Sequence, residues 1–557
     1  MEMIIQHIIT FEDIYTGEKR QKPEYYIQGF DKGELLYLLA LGIQDPKFEE
    51  VSNFISWEDQ IRLLAQILGK KEINLGKFLL PRLMAFKDRL NTNEVPALFN
   101  RIQYLYAINL VLRNKQSKNI ESRNTENLIK FMLSINSIIL AKQESGTQSF
   151  SNFYFKFIKQ NEFLAPRYSM LEYFRSIALS HFLYFESEYK EEVIKFFNIR
   201  AERPHVYLSI LTSIIVTINS EVQIPAVFSS RNDLERNVFK SLSKIFTNKE
   251  KEFEFLSLRN SPVFELRPDE WLVLDKKIMI DFLFNHTILQ FWFEYIRPNE
   301  ISDVSHYFGV IGQFYHQYIG NLIQSIFSHD VNLDVKTLDE LVFHSKSTTT
   351  ELGDVLIQKK DKMILGEIKS TFFKSELKYD DESLLKEPKN LKEFKKNFGI
   401  EQMAKKIIKL SKNPEAYDFS ANEISIIYPI LIFHEKAFQC PFSNTKFQTL
   451  FLEEIKTQYP NFIVPFPEHS SSRIGNIEIQ PLILIHTTDI EILYTLIKDY
   501  GIDIFSFLDN YISDGSLIAP FYQYIHKSLT GDFIENLSDI AKIKLSELET
   551  ELEHKST

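Results

Sequence analysis

The sequence contains one cysteine, Cys440, among 557 residues, and few glycines and prolines, 17 and 19. One cysteine cannot build a disulfide framework, and an unpaired thiol is typical of proteins in a reducing compartment. Glycine and proline fall below their usual abundances of about 7% and 5%, so the chain has few obligatory turns and helix breakers. The composition therefore favours long helices and a protein that is not secreted.

Long hydrophobic runs are also lacking. The longest apolar stretches, such as residues 424–433, are about half of the roughly 20 residues that a membrane-spanning helix needs. The first twenty residues have no basic segment followed by an apolar core and a small-residue cleavage site. We therefore expect no transmembrane span, no signal peptide and a cytoplasmic location.

Several familiar enzyme motifs are missing as well. The sequence has no G-x-x-x-x-G-K-[ST] phosphate loop and no G-x-S-x-G nucleophile elbow, and its 13 histidines show no H-E-x-x-H spacing. ATP hydrolysis, serine hydrolase chemistry and a zinc site of these types therefore lack support. The net charge of −11, from 64 basic and 75 acidic residues, argues against a protein coated with nucleic-acid-binding charge, although a local basic surface remains possible.

Two periodicities divide the chain. Apolar residues recur at three- and four-residue spacing up to about residue 300, with no fixed repeat, in blocks at 57–68, 99–112, 125–140, 168–185, 206–218 and 274–296. A further helix is predicted at 308–327. It is followed by strands at 354–358, 363–369, 424–433 and 477–485, with helices at 400–410 and 446–459 between the last three. We predict an irregular α-helical region over 1–300, an α/β core over 301–500 and a helical C-terminal extension over 501–557.

The most informative stretch is ELGDVLIQKKDKMILGEIKST, from Glu351 to Thr371. Two apolar segments flank a polar turn, which predicts a β-hairpin. With the turn centred between residues 360 and 361, Asp354 stands opposite Glu367 on the neighbouring strand. Opposed like charges destabilise a sheet unless a cation neutralises them, and carboxylate oxygens suit Mg²⁺ or Mn²⁺. Lys369 shares the face of Glu367 and can act on a metal-bound water, while Ile368 points into the core.

These residues resemble the PD-(D/E)XK nuclease superfamily, whose restriction-endonuclease-like core carries an Asp on one strand and Glu-x-Lys on the next. Gly353 stands where the motif has proline. The resemblance implies that Asp354 and Glu367 ligate Mg²⁺ (or Mn²⁺), that the main-chain carbonyl of Ile368 is a further ligand, and that Lys369 is the catalytic lysine. The tripeptide alone carries little weight, because Glu-x-Lys occurs six more times in the chain.

One feature of the superfamily is absent. Members often carry another acidic residue on the helix before the hairpin, whereas this chain has Gly312-Gln-Phe-Tyr-His316-Gln there. A second metal site is therefore in doubt. Glu351 could substitute, but its odd offset from Asp354 points it to the opposite face of a regular strand. His316 is interpreted as an ordinary polar contact.

A basic helix follows the hairpin. Between residues 355 and 412 there are fifteen lysines against nine acidic residues, an excess of six positive charges in an acidic chain. On the predicted helix one face collects Gln402, Lys405, Lys406, Lys409 and Lys412, and the opposite face is apolar. We expect these lysines to bind nucleic-acid phosphates, and the resemblance implies an accessory catalytic role for Gln402. The alternative for the lysines is a solvated helix face.

The sequence therefore predicts a metal-dependent nuclease that hydrolyses phosphodiester bonds, in DNA more than in RNA. Large helical additions to such cores resemble those of restriction or phage-defence effectors, in which the extra region binds a protein partner or self-associates. The competing interpretation is a non-catalytic protein in which a degenerate core only binds protein or nucleic acid. No membrane partner is expected.

Overall fold

A computed structural model describes most of the chain. It covers residues 5–45, 56–68, 72–91, 94–114, 124–144, 169–200, 224–243, 254–282, 287–327, 332–344, 349–372, 387–412, 424–467, 470–514 and 516–528, with positions 210, 213, 214, 218 and 330. The backbone divides into two compact units. The first unit comprises Met1–Lys156 and Glu188–Tyr295, and the second comprises Phe157–Ser187 and Ile296–Thr557.

The first unit is mainly helical. Its described α-helices are Phe11–Ile14, Pro23–Tyr26, Lys32–Ile43, Trp57–Leu68, Ile73–Lys87, Arg101–Arg113, Thr125–Glu144, Lys190–Arg200, Asp233–Leu242, Leu256–Asn260, Lys276–Asp281 and Thr287–Gln290. A π-helix, Phe291–Ile296, crosses the sequence boundary with the second unit. The helix at 57–68 has its predicted bounds. The predicted block at 274–296 is instead divided into several short helices, and most of the block at 206–218 lies outside the described residues.

The sequence predicted an irregular α-helical region up to residue 300, and it did not predict the two small sheets that this unit also contains. Ile5–Ile8 pairs in parallel with Glu94–Ala97, and Glu270–Val273 lies between Val227–Ser229 and Val263–Arg267 in an antiparallel sheet. These strands have three to five residues each. Segments this short do not show enough alternation to stand out against helical spacing.

The second unit contains eight described α-helices and nine strands. The helices are α1 (Ser169–His181), α2 (Val304–Phe327), α3 (Pro388–Asn397), α4 (Ile400–Lys412), α5 (Ser443–Gln458), α6 (Thr487–Tyr500), α7 (Ile504–Ser513) and α8 (Phe521–Ser528). The strands are β1 (Asp334–Thr337), β2 (Val342–His344), β3 (Thr349–Glu351), β4 (Val355–Lys359), β5 (Lys362–Lys369), β6 (Ile426–Phe433), β7 (Ser472–Ile474), β8 (Ile477–Ile479) and β9 (Ile483–His486).

A mixed sheet organises this unit. The sheet has seven strands: six follow the order β7-β8-β6-β5-β4-β1, and the seventh, β9, pairs with β6. Strands β2 and β3 form a separate pair. The predicted mixed α/β class is confirmed. The antiparallel hairpin β4–β5 has the predicted register, with Gln358 opposite Met363 and Val355 opposite Gly366. Lys360 has a φ of 56°, the left-handed conformation that tight hairpin turns use.

The central strand β6 is parallel to β5, and the connection between them contains α3 and α4. Seven of its eight residues are buried, as expected for a strand covered on both faces. The predicted strand at 477–485 is two strands, β8 and β9, which both pair with β6. Pro481 lies between them, and proline cannot donate to a strand ladder.

The remaining predicted helices are present with small shifts. Helix α2 begins at Val304, four residues before its predicted start, because the Asp303 carboxylate accepts from the N–H of His306 and caps it. Helix α4 buries its apolar face, including Met403 and Ile407. Helices α7 and α8 lie in the predicted C-terminal extension, and residues 529–557 are outside the described part. No described helix is long and apolar enough to cross a membrane.

Candidate active site

Two carboxylates meet where β4 begins and β5 approaches its end. Asp354 directly precedes β4, and its N–H donates to the carbonyl of Gly366 at 3.0 Å. Its Oδ2 accepts from the N–H of Ile368 at 2.7 Å. The hairpin ladder ends with Val355 opposite Gly366, so Asp354 and Glu367 are the next residues beyond it, and the charge of Glu367 acts on Asp354. Both side chains are buried, with 7% and 1% of their surface exposed.

The two carboxylates oppose each other electrostatically. Burial raises the pKa of Asp354, and the charge of Glu367 raises it further, against the smaller lowering effects of His316 and Lys369. The raised pKa means that the ionised form of Asp354 is disfavoured where it stands. A cation placed between the two carboxylates would remove this penalty, which is the behaviour expected of a hard-metal site.

Two lysines surround Glu367. Lys369 Nζ lies 2.9 Å from Glu367 Oε2. Lys406 Nζ donates to Glu367 Oε1 and also to Glu351 Oε1, the latter at 2.8 Å. Burial lowers the pKa of Lys406, but the carboxylates of Glu367 and Glu351 outweigh burial and raise it, so the ammonium stays charged. Lys369 therefore lies beside Glu367, and its catalytic role stays a prediction.

A glycine makes the position of Lys369 possible. Gly399, the residue before α4, has a φ of 77°, which side-chain-bearing residues rarely adopt. A Cβ at this position would lie 2.6 Å from Lys369 Cε. Gly399 therefore allows the lysine stem to pass directly beside the start of α4. Sequence reasoning missed this residue, although a glycine before an amphipathic helix in a glycine-poor chain is a signal.

Helix α2 brings a histidine to the same place. Nδ1 of His316 lies 3.8 Å from Oδ1 of Asp354. One turn earlier, a Cβ on Gly312 would lie 3.0 Å from Ser370 Oγ, so the absence of a side chain there lets α2 approach the end of β5. The interpretation of His316 as an ordinary polar contact stays a prediction, and the structure adds that its partner is a candidate metal ligand. The spacing Gly312-x-x-x-His316, one helical turn, is the signal that could have found it.

Glu351 also differs from its predicted orientation. The predicted orientation, with Glu351 and Asp354 on opposite faces, requires both residues to belong to one regular strand. Glu351 instead ends β3, and residues 352–354 are not in a strand, so the alternation does not carry across them. Its carboxylate shares Lys406 with Glu367. Glu351 therefore lies near the candidate site.

The basic face of α4 has two different parts. Gln402, Lys405, Lys409 and Lys412 are exposed, and Lys405 pairs with Glu401 on its own helix. Lys406, predicted to bind nucleic acid, is instead turned towards Glu367, because it lies where α4 passes the end of β5. Gln402 lies one turn before Lys406 on the same face, and its accessory role stays a prediction.

The donor set can be compared with what Mg²⁺ or Mn²⁺ requires. Among the described residues no three His, Cys, Asp or Glu side chains are grouped as a metal-ion site. Mg²⁺ needs fewer, because it commonly takes one or two carboxylates and completes its shell with waters and substrate phosphate. The N–H of Ile368 points towards Asp354, and in a strand the carbonyl of a residue points to the same side as its N–H. Asp354, Glu367 and the Ile368 carbonyl therefore fit one hard cation.

A second charged cluster lies in the same unit, and we call it the buried network. The Arg175 guanidinium on α1 donates to both carboxylate oxygens of Glu491 on α6, at 3.1 and 2.5 Å, and to Thr488 Oγ1 at 2.9 Å. Tyr318 on α2 donates to Glu491 Oε1 at 2.6 Å. Lys436, which follows β6, pairs with Glu172 on α1. Sequence reasoning missed this network, because the partners of its two ion pairs lie more than 250 positions apart.

No protein-family model, curated protein or solved structure matches this chain.

Proposed function

We propose that this protein is a Mg²⁺- or Mn²⁺-dependent nuclease that hydrolyses phosphodiester bonds, with Asp354, Glu367 and Lys369 at its active site. The observation that carries the proposal is the pair of buried, opposed carboxylates with a lysine two residues along the same strand. In an ordinary structural site, each buried charge would be paired with a charge of opposite sign. The raised pKa of Asp354 instead indicates that nearby positive charges do not offset its burial and the charge of Glu367. The arrangement of Asp354 before β4 and of Glu367 and Lys369 on β5 also supports a restriction-endonuclease-like core.

Each side chain has a distinct role in this proposal. The carboxylates of Asp354 and Glu367 hold the cation, and the N–H of Ile368 fixes the orientation of Asp354 through its 2.7 Å hydrogen bond. The Lys369 ammonium orients the attacking water and stabilises negative charge that develops on the phosphate. When bound, the metal supplies Lewis-acid activation of water and phosphate.

Lys406 and His316 support these groups. Lys406 holds Glu367 in place through a hydrogen bond from its Nζ to Glu367 Oε1. His316 lies beside the other oxygen of the opposing carboxylate, Oδ1 of Asp354. DNA is the preferred substrate in our proposal. The exposed lysines of α4 supply phosphate contacts in either case.

The test is cleavage of plasmid, linear and single-stranded DNA and of RNA by the purified full-length protein, with Mg²⁺, Mn²⁺ or EDTA. We expect cleavage with either metal and none with EDTA. Lys369→Ala should reduce the rate by at least about a hundredfold while Mg²⁺ still raises the melting temperature. Asp354→Asn and Glu367→Gln should abolish both cleavage and the Mg²⁺-dependent shift, because they remove ligands.

Lys190→Ala provides a matched control, since Lys190 is an exposed lysine of the first unit. It should cleave at the wild-type rate. Undiminished cleavage by both Lys369→Ala and Glu367→Gln would place the active site elsewhere. Nucleic-acid binding without cleavage under all metal conditions would favour the non-catalytic alternative.

A further inference from the structure

An exposed apolar loop follows helix α5. We define the apolar loop as residues 460–467, PNFIVPFP. Ile463 has 83% and Phe466 97% of its surface exposed, and Val464 has 43%. Phe466 is the most exposed large hydrophobic side chain among the described residues. Each of these side chains leaves apolar area in water that burial would stabilise, so the loop has the character of a contact surface.

The loop is held in place at both ends. Lys456 Nζ donates to the carbonyls of Pro460 and Phe462, each at 2.7 Å. The Phe462 ring is buried, and the N–H of Ser470 donates to the carbonyl of Pro467 at 2.9 Å. Three prolines within eight residues further restrict the backbone. The exposed rings and aliphatic groups are therefore presented on a constrained support.

The basic face of α4 leads from the candidate active site to this loop. Lys406 contacts Glu367, Lys409 is exposed one turn later, and Lys412 ends the helix. Lys412 lies six positions after Lys406, which corresponds to about 9 Å along the helix. Lys412 Nζ lies 5.5 Å from the ring centroid of Tyr459, the residue directly before the apolar loop.

From this juxtaposition we propose that the apolar loop binds the unpaired bases of a nucleic-acid strand, with Phe466 stacking on a base and the phosphates of the same strand following Lys409 and Lys412. This inference rests on the proposed nuclease function and adds its substrate class, nucleic acid with unpaired nucleotides beside the cleaved bond. An apolar loop alone would also suit a protein or a lipid surface. The adjoining lysines, which lead to a candidate phosphodiesterase site, favour a polyanion that carries flat apolar rings.

Unpaired bases are preferred over duplex for an energetic reason. Stacking a base on an aromatic side chain contributes about 1–3 kcal/mol and tolerates any sequence. Inserting the same ring into a duplex first costs a few kcal/mol of unstacking. The ring of Phe466 therefore gains more from a base that is already unstacked.

The test measures binding of the full-length protein to single-stranded and duplex oligonucleotides in EDTA, by fluorescence anisotropy and by the signal of a 2-aminopurine base. Phe466→Ala should weaken single-strand binding about tenfold and leave duplex binding within about twofold. Phe466→Trp should restore single-strand binding. Tyr500→Ala is the matched control, because Tyr500 is an aromatic residue of the same unit with 48% exposure, and it should bind like the wild type.

The lysines have a separate readout. Reversing Lys409 and Lys412 to glutamate should weaken binding to both oligonucleotides and flatten the dependence of affinity on salt concentration. Since binding is measured without metal, it is independent of cleavage. Phe466-dependent binding by a protein that never cleaves would support this inference and reject the nuclease. Metal-dependent cleavage by the wild type, together with unchanged binding by Phe466→Ala, would support the nuclease and reject this inference.

Three results would overturn the inference. The first is single-strand affinity that Phe466→Ala leaves unchanged. The second is loss of a dimer in Phe466→Ala on size-exclusion chromatography with no change in nucleic-acid affinity, which would make the loop a self-association surface. The third is Phe466-dependent binding to phosphatidylcholine vesicles together with unchanged oligonucleotide binding.

Discussion

The candidate active site and the buried network are both charged clusters of the second unit, yet their charges are arranged in opposite ways. In the buried network, Arg175 pairs with Glu491 and Lys436 pairs with Glu172, so each of these charges faces one of opposite sign. In the candidate active site, Asp354 faces Glu367, and both lysines of the site contact Glu367.

The buried network contains charges that stabilise the fold, whereas the candidate active site contains charges that have another use. A buried charge that loses its partner costs several kcal/mol, so a network of matched pairs holds its elements together once it has formed. Two opposed carboxylates instead make the metal-free fold less stable than it could be, and such a penalty is typical of functional sites. Helix α2 contributes to both clusters, through Tyr318 in the buried network and His316 at the candidate active site.

The largest expected effect comes from breaking the network. Arg175→Met should lower the free energy of unfolding by about 3–5 kcal/mol in urea, because Glu491 would remain buried without its cation. Arg62→Met is the matched control. Arg62 also makes a bidentate contact, with Asp45 at 3.0 and 3.1 Å, but its side chain is 41% exposed, so the loss should stay below about 1 kcal/mol. Equal losses in the two variants would contradict the assignment of Arg175 to a stabilising network.

A smaller effect concerns Asp489, which borders the network at the start of α6. Burial raises the pKa of this carboxyl to about 7. The folded protein then retains a proton that the unfolded chain releases above about pH 4, so the contribution of Asp489 to stability falls as the pH rises from about 4 to 7.

Asp489→Asn should remove this decline, because its amide oxygen can still accept from the N–H of His486 as the carboxylate does at 2.8 Å. Between pH 5 and pH 8 the variant should gain on the wild type by at most about 3 kcal/mol in urea unfolding, at about 1.4 kcal/mol for each pKa unit. A constant difference across this range would show that Asp489 is ionised throughout.

The smallest expected effect is a gain in stability, whereas Arg175→Met should cause a loss. Asp354→Asn should raise the stability of the metal-free protein by about 1 kcal/mol or less, since it removes a charge whose pKa is raised and keeps an oxygen for the Ile368 N–H. Asp334→Asn is the control, because Asp334 is an exposed carboxylate on β1, the neighbour of β4. Melting curves in EDTA measure both. A destabilised Asp354→Asn would mean that its charge is already compensated.

The hairpin could be predicted from the sequence because its information is local. Alternating apolar residues and a polar turn predicted the register as far as Val355 opposite Gly366, which brings Asp354 and Glu367 to the same end of the hairpin. His316, Lys406 and Gly399 were not assigned to the site, because their positions depend on how α2 and α4 pack against the end of β5. No pattern within either helix encodes that packing.

The fold was predictable to the same degree. Helices with strong apolar spacing, such as 57–68 and 400–412, were located well, whereas the short strands of the first unit were missed. The predicted strand at 477–485 is interrupted at Pro481. Proline cannot donate to a strand ladder, so this interruption could have been recognised from the sequence alone. The membership of residues 157–187 in the second unit depends on contacts with distant segments, which spacing cannot reveal.

Because residues 157–187 belong to the second unit, the order of synthesis affects how that unit folds. Arg175 leaves the ribosome 316 residues before Glu491 does. At about 5–20 residues per second, the interval is roughly 15 to 60 s, during which the guanidinium of Arg175 cannot yet pair with the carboxylate of Glu491. The second unit therefore cannot finish folding while its first segment is being made, and a protein expressed from residue 301 onward would lack that segment altogether.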